Sequence, residues 1–180
     1  MISSSTTTFL LIIALVYCTK PAYKPNVYGS FVAYIGLEDR PRCAKQFGDA
    51  VNERIRIDNY VDQTQSYVDY KADVEYVLVY DQGDLVTCLK RQAQENLFKT
   101  PIFTNATFVG VTTMRDHIVD KWYNKEVNIT MWIDSKTTLP VRLDTDGEYP
   151  QYYEIVSDKS PDLREFELPE SIKETCTNNK

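Results

Sequence analysis

The chain has 180 residues, of which 43% are hydrophobic and 26% are charged, and its formal net charge is −6. This length and composition fit a single globular domain with a core of its own. They argue against a nucleic-acid-binding protein, because such a protein presents a basic stripe to the phosphates and the sequence has none.

A short apolar run, Phe9 to Val16, lies near the start of the chain. It follows a Ser/Thr-rich stretch and precedes Lys20 and Pro21. The run is too short to span a bilayer, which needs about 20 residues. We therefore predict a secretory signal peptide over residues 1–18 and no stable membrane anchor, although no Lys or Arg precedes the run. Cleavage after Ala14 and an uncleaved anchor are the alternatives. Secretion permits disulfides between the cysteines.

Residues 26–176 are predicted to form an all-β domain, because apolar and polar residues alternate with a period of two. Hairpin turns are predicted at Asp81–Asp84, Asn124–Glu126, Asp134–Thr137 and Asp146–Glu148. A helix of one or two turns is predicted within Lys90–Phe98, before Pro101. The segment after Leu168 is predicted to be irregular up to Cys176, and residues 177–180 form a polar C-terminal tail. The predicted strands are Phe31–Ile35, Arg54–Asp58, Val74–Tyr80, Leu85–Leu89, Ile118–Tyr123, Val127–Ile133, Leu139–Leu143 and Tyr152–Val156.

The strand Val74–Tyr80 is apolar on both faces, with Tyr76, Leu78 and Tyr80 on one side and Val77 and Val79 on the other. A strand of an antiparallel sheet with one solvated face does not have this pattern. Either protein covers both sides of the strand, or one side lines an apolar pocket. Aromatic residues make up 12% of the chain, which is compatible with such a pocket. Our candidate lining residues are Tyr34, Val77, Val79, Trp122, Trp132 and Tyr152, with core packing as the alternative for each.

Two further patterns concern glycans and metals. Asn105-Ala106-Thr107 and Asn128-Ile129-Thr130 match the N-glycosylation acceptor pattern, and Asn128 is predicted on the polar face of its strand. Asp144, Asp146 and Glu148 place three carboxylates in one turn, which suits calcium, although a solvated acidic turn explains them as well. A zinc site is not expected, because no two cysteines have C-x-x-C spacing and the chain has one histidine.

No enzymatic activity is predicted. His117 is the only histidine, and no nucleophile elbow or phosphate-binding glycine loop accompanies it.

The order of several features resembles the ependymin-related family of secreted glycoproteins, over roughly Ala44 to Cys176. These features are Asn52–Asp58, Glu75–Tyr80, Cys88, Phe103–Phe108, Ile118-Val119, Trp122, Trp132-Ile133, Leu139–Val141, Tyr152-Tyr153, Phe166, Pro169 and Cys176. The resemblance implies two curved antiparallel sheets that form a half-open barrel with an apolar cleft for hydrophobic molecules such as lipids. It also implies a Cys88–Cys176 disulfide, and the family is associated with calcium binding and dimerisation.

The chain departs from the family pattern at Thr138, where the family has a cysteine. The disulfide made by that cysteine is therefore missing, and Cys43 has no evident family counterpart. Cys43 pairs with a retained Cys18, forms an intermolecular bridge or stays a thiol. The expected function is a secreted glycoprotein that binds a lipid or fatty acid in an apolar cleft, with calcium as a candidate cofactor. The alternative is an extracellular matrix or cell-adhesion component that acts through calcium, glycans and self-association.

Overall fold

The computed structural model describes residues 30–38, 42–94, 105–145 and 150–178. The protein is all-β with minor helix, as the alternating pattern predicted. A 3₁₀ helix at Leu163–Phe166 and the α-helix α1 at Glu170–Lys173 precede the last strand. The strands are β1 (Phe31–Gly36), β2 (Ala44–Asp49), β3 (Arg54–Asn59), β4 (Thr64–Asp69), β5 (Val74–Asp81), β6 (Asp84–Arg91), β7 (Thr107–Met114), β8 (His117–Asn124), β9 (Ile129–Asp134), β10 (Pro140–Thr145), β11 (Gln151–Ser157) and β12 (Thr177–Asn178).

The described strands belong to two compact units. The large unit contains residues 30–38, 42–94 and 150–178, and its strands lie in the order β12-β6-β5-β4-β3-β2-β1-β11. The small unit contains residues 105–145, with its strands in the order β10-β9-β8-β7. Within these sheets neighbouring strands are antiparallel, apart from the parallel pair β12–β6. The predicted half-open barrel with its cleft stays a prediction.

One type of turn recurs in the hairpins. The strands β2, β3 and β4 end at Asp49, Asn59 and Asp69, which are ten residues apart. In each turn the Oδ1 atom of this residue accepts hydrogen bonds from backbone N–H groups two and three positions later. Asn124 and Asp134 begin turns of the same kind. The side chain thus satisfies turn donors that no strand partner can reach.

The fourth residue after each of these side chains has a positive φ angle. The φ angles are 57° at Glu53, 50° at Gln63, 53° at Asp73, 49° at Asn128 and 62° at Thr138. Left-handed backbone is unfavourable for residues with a Cβ atom, and most of all for β-branched residues. Thr138 is therefore the most strained of these positions.

We expect Thr138→Gly to raise the free energy of unfolding by about 1 kcal/mol, because glycine adopts a positive φ without a steric cost. Thermal unfolding of the variant and the wild type measures the gain. Thr137→Gly is the matched control and should destabilise, since Thr137 donates to Asp134 through both its backbone N–H and its hydroxyl. Equal effects at the two positions would contradict this account.

The predicted strands are all present, but the sequence did not reveal β2, β4, β7 and the short β12. The predicted helix within Lys90–Phe98 is wrong for the described part, because Lys90 and Arg91 belong to β6 and Gln92–Gln94 lie in no regular element. Pairing with β5 outweighs helix propensity there, and Arg91 forms an ion pair with Glu75.

The segment from Leu168 to Cys176 was predicted to be irregular, which is also wrong, because it contains α1. The predicted signal peptide, residues 1–18, and the turn Asp146–Glu148 lie outside the described residues.

Candidate ligand-binding surfaces

Strand register sorts the side chains of the large unit into two faces. Residues that pair directly across neighbouring strands point to the same face, and successive residues of a strand point to opposite faces. Pairing through β4 and β5 places Ile57, Val77 and Leu89 on one face. Pairing through β2, β3 and β4 places Ile35 and Val79 on that same face. We call these five residues the apolar face, and the side of the sheet that carries Leu78 the covered face.

The apolar face is only partly covered by protein. Phe31, Ala33 and Ile55 point to the same side and are buried. In contrast, the five residues of the apolar face are half-buried. Small residues on β2, Ala44 and Gly48, lie between the larger side chains of β1 and β3 on this side. The surface therefore keeps apolar area that an added apolar molecule can bury.

Polar side chains interrupt these apolar ones on the same side of the sheet, namely Gln46 and Ser66 beside Ile57, Asn59 and Thr64 between Ile35 and Val79, and the Glu75–Arg91 ion pair next to Val77 and Leu89. A further polar group is the phenol of Tyr153. Tyr153 pairs with Ile35 and so lies on the same side of the sheet. Burial raises the pKa of Tyr153 to about 12, because the charged phenolate is disfavoured away from water. The phenol is thus protonated at neutral pH. Its hydroxyl donates to Oε1 of Gln151 over a long 3.4 Å.

The covered face is buried by the C-terminal segment, residues 163–178. Leu78, Cys88 and Leu168 are buried and form a cluster. Half-buried side chains pack around this cluster, namely Tyr67, Tyr76, Tyr80, Ile172 and Cys176. The Cys88–Cys176 disulfide that the family resemblance implied is confirmed, and it joins the segment to β6. Of the two apolar sides of β5, the Leu78 side is therefore covered by protein and the Val77 side is less so.

Arg56 forms a second connection between the sheet and this segment. Its guanidinium lies 5.0 Å from the ring centroid of Phe47 and 5.2 Å from that of Tyr67. Nε and Nη2 donate to the two carboxylate oxygens of Asp58 at 2.8 and 2.9 Å. Nη1 donates to the backbone oxygen of Glu165 at 3.1 Å and to its carboxylate at 3.2 Å. The arginine thus satisfies a carboxylate on the covered face while it holds the 3₁₀ helix.

A groove of about 380 Å³ lies beside the C-terminal segment of the large unit. Aromatic and charged side chains share its lining, including Tyr67, Tyr76, Phe166, Arg54, Asp69 and Lys173. Arg54 and Asp69 form an ion pair with each other at 2.9 Å. None of the six residues predicted to line a pocket contributes to this groove. Its lining is thus partly charged, and its ion pair would lose water if an apolar ligand filled the groove.

The six residues predicted to line a pocket do not share one sheet face. Val77 and Val79 lie on the apolar face, whereas Tyr34 and Tyr152 point to the other side of the large unit's sheet. The ring of Tyr34 lies beneath Arg42 and Lys45, at 4.7 and 5.7 Å. Tyr152 is buried. Alternation of sequence alone could not align the faces of separate strands, because register depends on pairing.

Trp122 and Trp132 also point to opposite faces, in the sheet of the small unit. Trp122 pairs with Met131, whereas Trp132 pairs with Lys121. Trp122 is 3% exposed and meets the ring of Phe108 edge-on, with centroids 5.5 Å apart. Trp132 is buried with Val119 and Val141, and the cations of Lys121 and Arg142 lie over its ring. Both tryptophans therefore pack in the core of this unit.

The carboxylate of Asp144 already has a cationic partner. Nε and Nη2 of Arg142 donate to its two oxygens at 2.6 and 2.7 Å. The other predicted calcium ligands, Asp146 and Glu148, lie outside the described residues. Within the ranges that the structure covers, no group of three or more His, Cys, Asp or Glu side chains is placed to hold a metal ion. Calcium at this turn would have to compete with Arg142.

His117 contributes to a turn. Its Nδ1 lies 2.7 Å from Oδ2 of Asp134, whose Oδ1 accepts from Lys136 and Thr137 in the β9–β10 turn. Burial acts to raise the pKa of Asp134, but the hydrogen bonds from Thr137, His117 and Lys136 outweigh it, so that the pKa is lowered. The carboxylate is thus held ionised as the acceptor that organises this turn.

Both predicted glycan acceptors are exposed. Asn105 lies two residues before β7, and its Nδ2 donates to Glu126 in the β8–β9 turn at 2.7 Å. Asn128 was predicted on the polar face of a strand, but it lies in that same turn instead. Its Oδ1 accepts from the Tyr123 hydroxyl at 3.0 Å. The two acceptors therefore lie at one end of the small unit.

Cys43 is half-buried, and Cys18, its partner in one of three predicted fates, lies outside the described residues, so the state of Cys43 stays open between pairing with Cys18, an intermolecular bridge and a thiol. Over the residues that the structure describes, no helix is long and apolar enough to span a membrane. When the chain was compared with protein-family models and with curated proteins, neither comparison found a match.

Proposed function

We propose that this protein is a secreted glycoprotein that binds a hydrophobic ligand, a lipid or fatty acid, against the apolar face of the large unit. The observation that carries the proposal is the incomplete burial of Ile35, Ile57, Val77, Val79 and Leu89 on one side of a single sheet. The resemblance to ependymin-related proteins supports the same ligand class.

The area that such a ligand buries is enough for useful affinity. Each methylene moved from water to an apolar surface contributes about 0.8 kcal/mol. A chain that buries about twelve methylenes gains roughly 10 kcal/mol, from which several kcal/mol are lost as translational and rotational freedom. The remainder is about 6 kcal/mol at the lowest association cost, so we expect a dissociation constant of roughly tens to hundreds of micromolar.

Tyr153 gives this surface a polar end. Its phenol is protonated at neutral pH and lies beside Ile35 on the apolar face. The phenol has one hydrogen to donate, and it can exchange the long bond to Gln151 for a bond to a ligand carboxylate or headgroup oxygen, which orients the ligand. The proposed ligand is accordingly an amphiphile with one long apolar chain.

The disulfide and the two exposed acceptor asparagines support the secreted, glycosylated part of the proposal. Disulfides form and persist in oxidising compartments. N-glycans are added to chains in the secretory pathway at Asn-x-Ser/Thr sites, which then lie on the surface.

Titration with a fluorescent fatty acid tests the proposal. We expect the variant Val77→Asn/Val79→Asn to bind at least tenfold more weakly than the wild type, because each buried amide without a partner costs about 1–3 kcal/mol. Val86→Asn is the matched control, since Val86 is 64% exposed on the neighbouring strand β6, and it should bind as the wild type does.

Two results would count against the proposal. One is wild-type protein from its native source that carries no lipid in native mass spectrometry and takes up no fluorescent fatty acid. The other is an equal loss of binding in the β6 control. A lipid-free protein whose oligomer changes with calcium would instead favour the matrix or adhesion role.

A further inference from the structure

The groove beside the C-terminal segment contains an arginine whose hydrogen-bonding capacity is only partly used. Arg54 lines this groove together with Asp69, and its Nε donates to Oδ2 of Asp69 at 2.9 Å. Among the residues that the structure describes, Nη1 and Nη2 of Arg54 have no hydrogen-bond acceptor, and the side chain is 35% exposed. The end of the guanidinium therefore presents two parallel donors, which is the arrangement that holds a carboxylate through two hydrogen bonds.

The turn after β4 fixes the position of this guanidinium. Oδ1 of Asp69 accepts from the backbone N–H groups of Lys71 and Ala72 at 3.0 and 2.9 Å, while Oδ2 holds Nε of Arg54. Arg54 and Asp69 also pair directly across β3 and β4. Because the arginine is already held in place, it loses less side-chain freedom when a ligand binds to it.

Aromatic rings form the apolar part of the groove. Tyr67 and Tyr76 come from the covered face and Phe166 from the C-terminal segment, and all three are half-buried. The hydroxyl of Tyr67 donates to Gln65 at 3.3 Å, whereas within the described ranges the hydroxyl of Tyr76 has no hydrogen-bond partner. The rings thus offer apolar surface, and Tyr76 adds a hydroxyl that can donate or accept.

The remaining charges of the groove select among carboxylates that carry a ring. Lys173 and Glu167 line the groove with the Arg54–Asp69 ion pair, and Nζ of Lys173 donates to Glu170 at 3.1 Å. An apolar ring would displace water from these charged groups without replacing its hydrogen bonds. A sugar replaces them through its hydroxyls, and its C–H groups can pack on aromatic rings. The lining therefore favours a sugar that carries a carboxylate over an aromatic or aliphatic acid.

We infer that this groove binds a sugar acid, with the carboxylate on Nη1 and Nη2 of Arg54 and the sugar ring against Tyr67, Tyr76 and Phe166. The volume of the groove, about 380 Å³, is within the range of small-molecule sites, about 300–1,000 Å³. The two tyrosines belong to the covered face, whereas the lipid is proposed on the apolar face. The inference is thus independent of the proposed function.

Titration of isotope-labelled protein with sodium glucuronate, followed by NMR, tests the inference. We expect the amide resonances of Lys71 and Ala72 to shift in a saturable manner, because both groups bind the carboxylate that holds Arg54. Glucose keeps the ring and the hydroxyls without the carboxylate, and benzoate keeps a carboxylate without the hydroxyls. Each should bind roughly tenfold more weakly than glucuronate, since each lacks one part of the hydrogen bonding.

Variants of the arginine test its role directly. Arg54→Met and Arg54→Lys should each weaken glucuronate binding roughly tenfold, and the lysine keeps the charge beside Asp69 but lacks the two parallel donors. Arg91→Met is the matched control and should bind as the wild type does. Arg91 is 39% exposed and also forms an ion pair, but its partner is Glu75 on the opposite side of the sheet.

The inference is overturned if glucuronate does not bind, if glucose or benzoate binds as tightly, or if Arg54→Lys binds glucuronate as the wild type does. It is also overturned if laurate displaces glucuronate, because the lipid and the sugar would then share one site. Glucuronate binding in a protein that takes up no laurate would contradict the proposed function and support this inference, so the two fail separately.

Discussion

Cys88→Ala/Cys176→Ala is expected to lower the free energy of unfolding by about 4 kcal/mol, which raises the unfolded-to-folded ratio roughly a thousandfold. The two cysteines are 88 positions apart, and a cross-link over so long a loop removes much of the conformational entropy of the unfolded chain. The loss also weakens the attachment of Leu168 and Ile172 to Leu78. Urea unfolding followed by tryptophan fluorescence measures the change.

Two controls separate this disulfide from the remaining cysteine. Cys43→Ala should change stability by much less, because Cys43 is not part of the cluster around Leu78. A reducing agent should destabilise the wild type but not the Cys88/Cys176 variant. If reduction destabilised both proteins equally, the stability would reside in another cysteine pair.

Replacing Arg56 by methionine is expected to cost about 3 kcal/mol, because it leaves the carboxylate of Asp58 without its partner in a largely buried position. The side chains of Arg56 and Asp58 are 18% and 12% exposed, so water replaces the lost hydrogen bonds poorly. The contact with Glu165, which holds the 3₁₀ helix, is lost as well. Chemical unfolding of the purified variant measures the loss.

Arg164→Met provides the matched control. Arg164 binds Asp162 through the same two-residue spacing and the same guanidinium nitrogens, but its side chain is 82% exposed. We expect no measurable change there, because solvent screens an exposed ion pair. Adding Asp58→Asn to Arg56→Met should recover part of the lost stability, since it removes the unpaired charge. Strictly additive losses would show that the pair is not the source of the effect.

The strand content of this protein could be predicted because alternation is a local property. Arg54–Asp58 and Val74–Tyr80 carry runs that fit a strand and few other structures. β2 and β4 escaped detection because Ala44, Gly48 and Ser66 occupy positions where alternation needs larger apolar residues. The ten-residue spacing of Asp49, Asn59 and Asp69 was a usable signal for these hairpins, since each side chain begins the same turn.

The candidate site could be predicted only in part. Val77 and Val79 were identified because their strand is apolar on both sides, and the structure leaves them half-buried on one face. Tyr34, Trp122, Trp132 and Tyr152 were chosen as large aromatic residues, and residue type does not say to which face a side chain points. Ile57 and Leu89, which share a face with Val77, lie on other strands and became visible only through register.

By itself, the sequence determined that eight of the segments are extended, where several of the hairpins turn and that both sides of β5 are apolar. Those properties depend on residues within a few positions of one another. Only the tertiary structure decided that the Leu78 side is buried and the Val77 side is left partly open. The Leu78 side is buried by Leu168, Ile172 and Cys176, which follow β5 by about ninety residues. The periodicity of a strand depends only on neighbouring residues, so it does not predict which distant segment packs on either face.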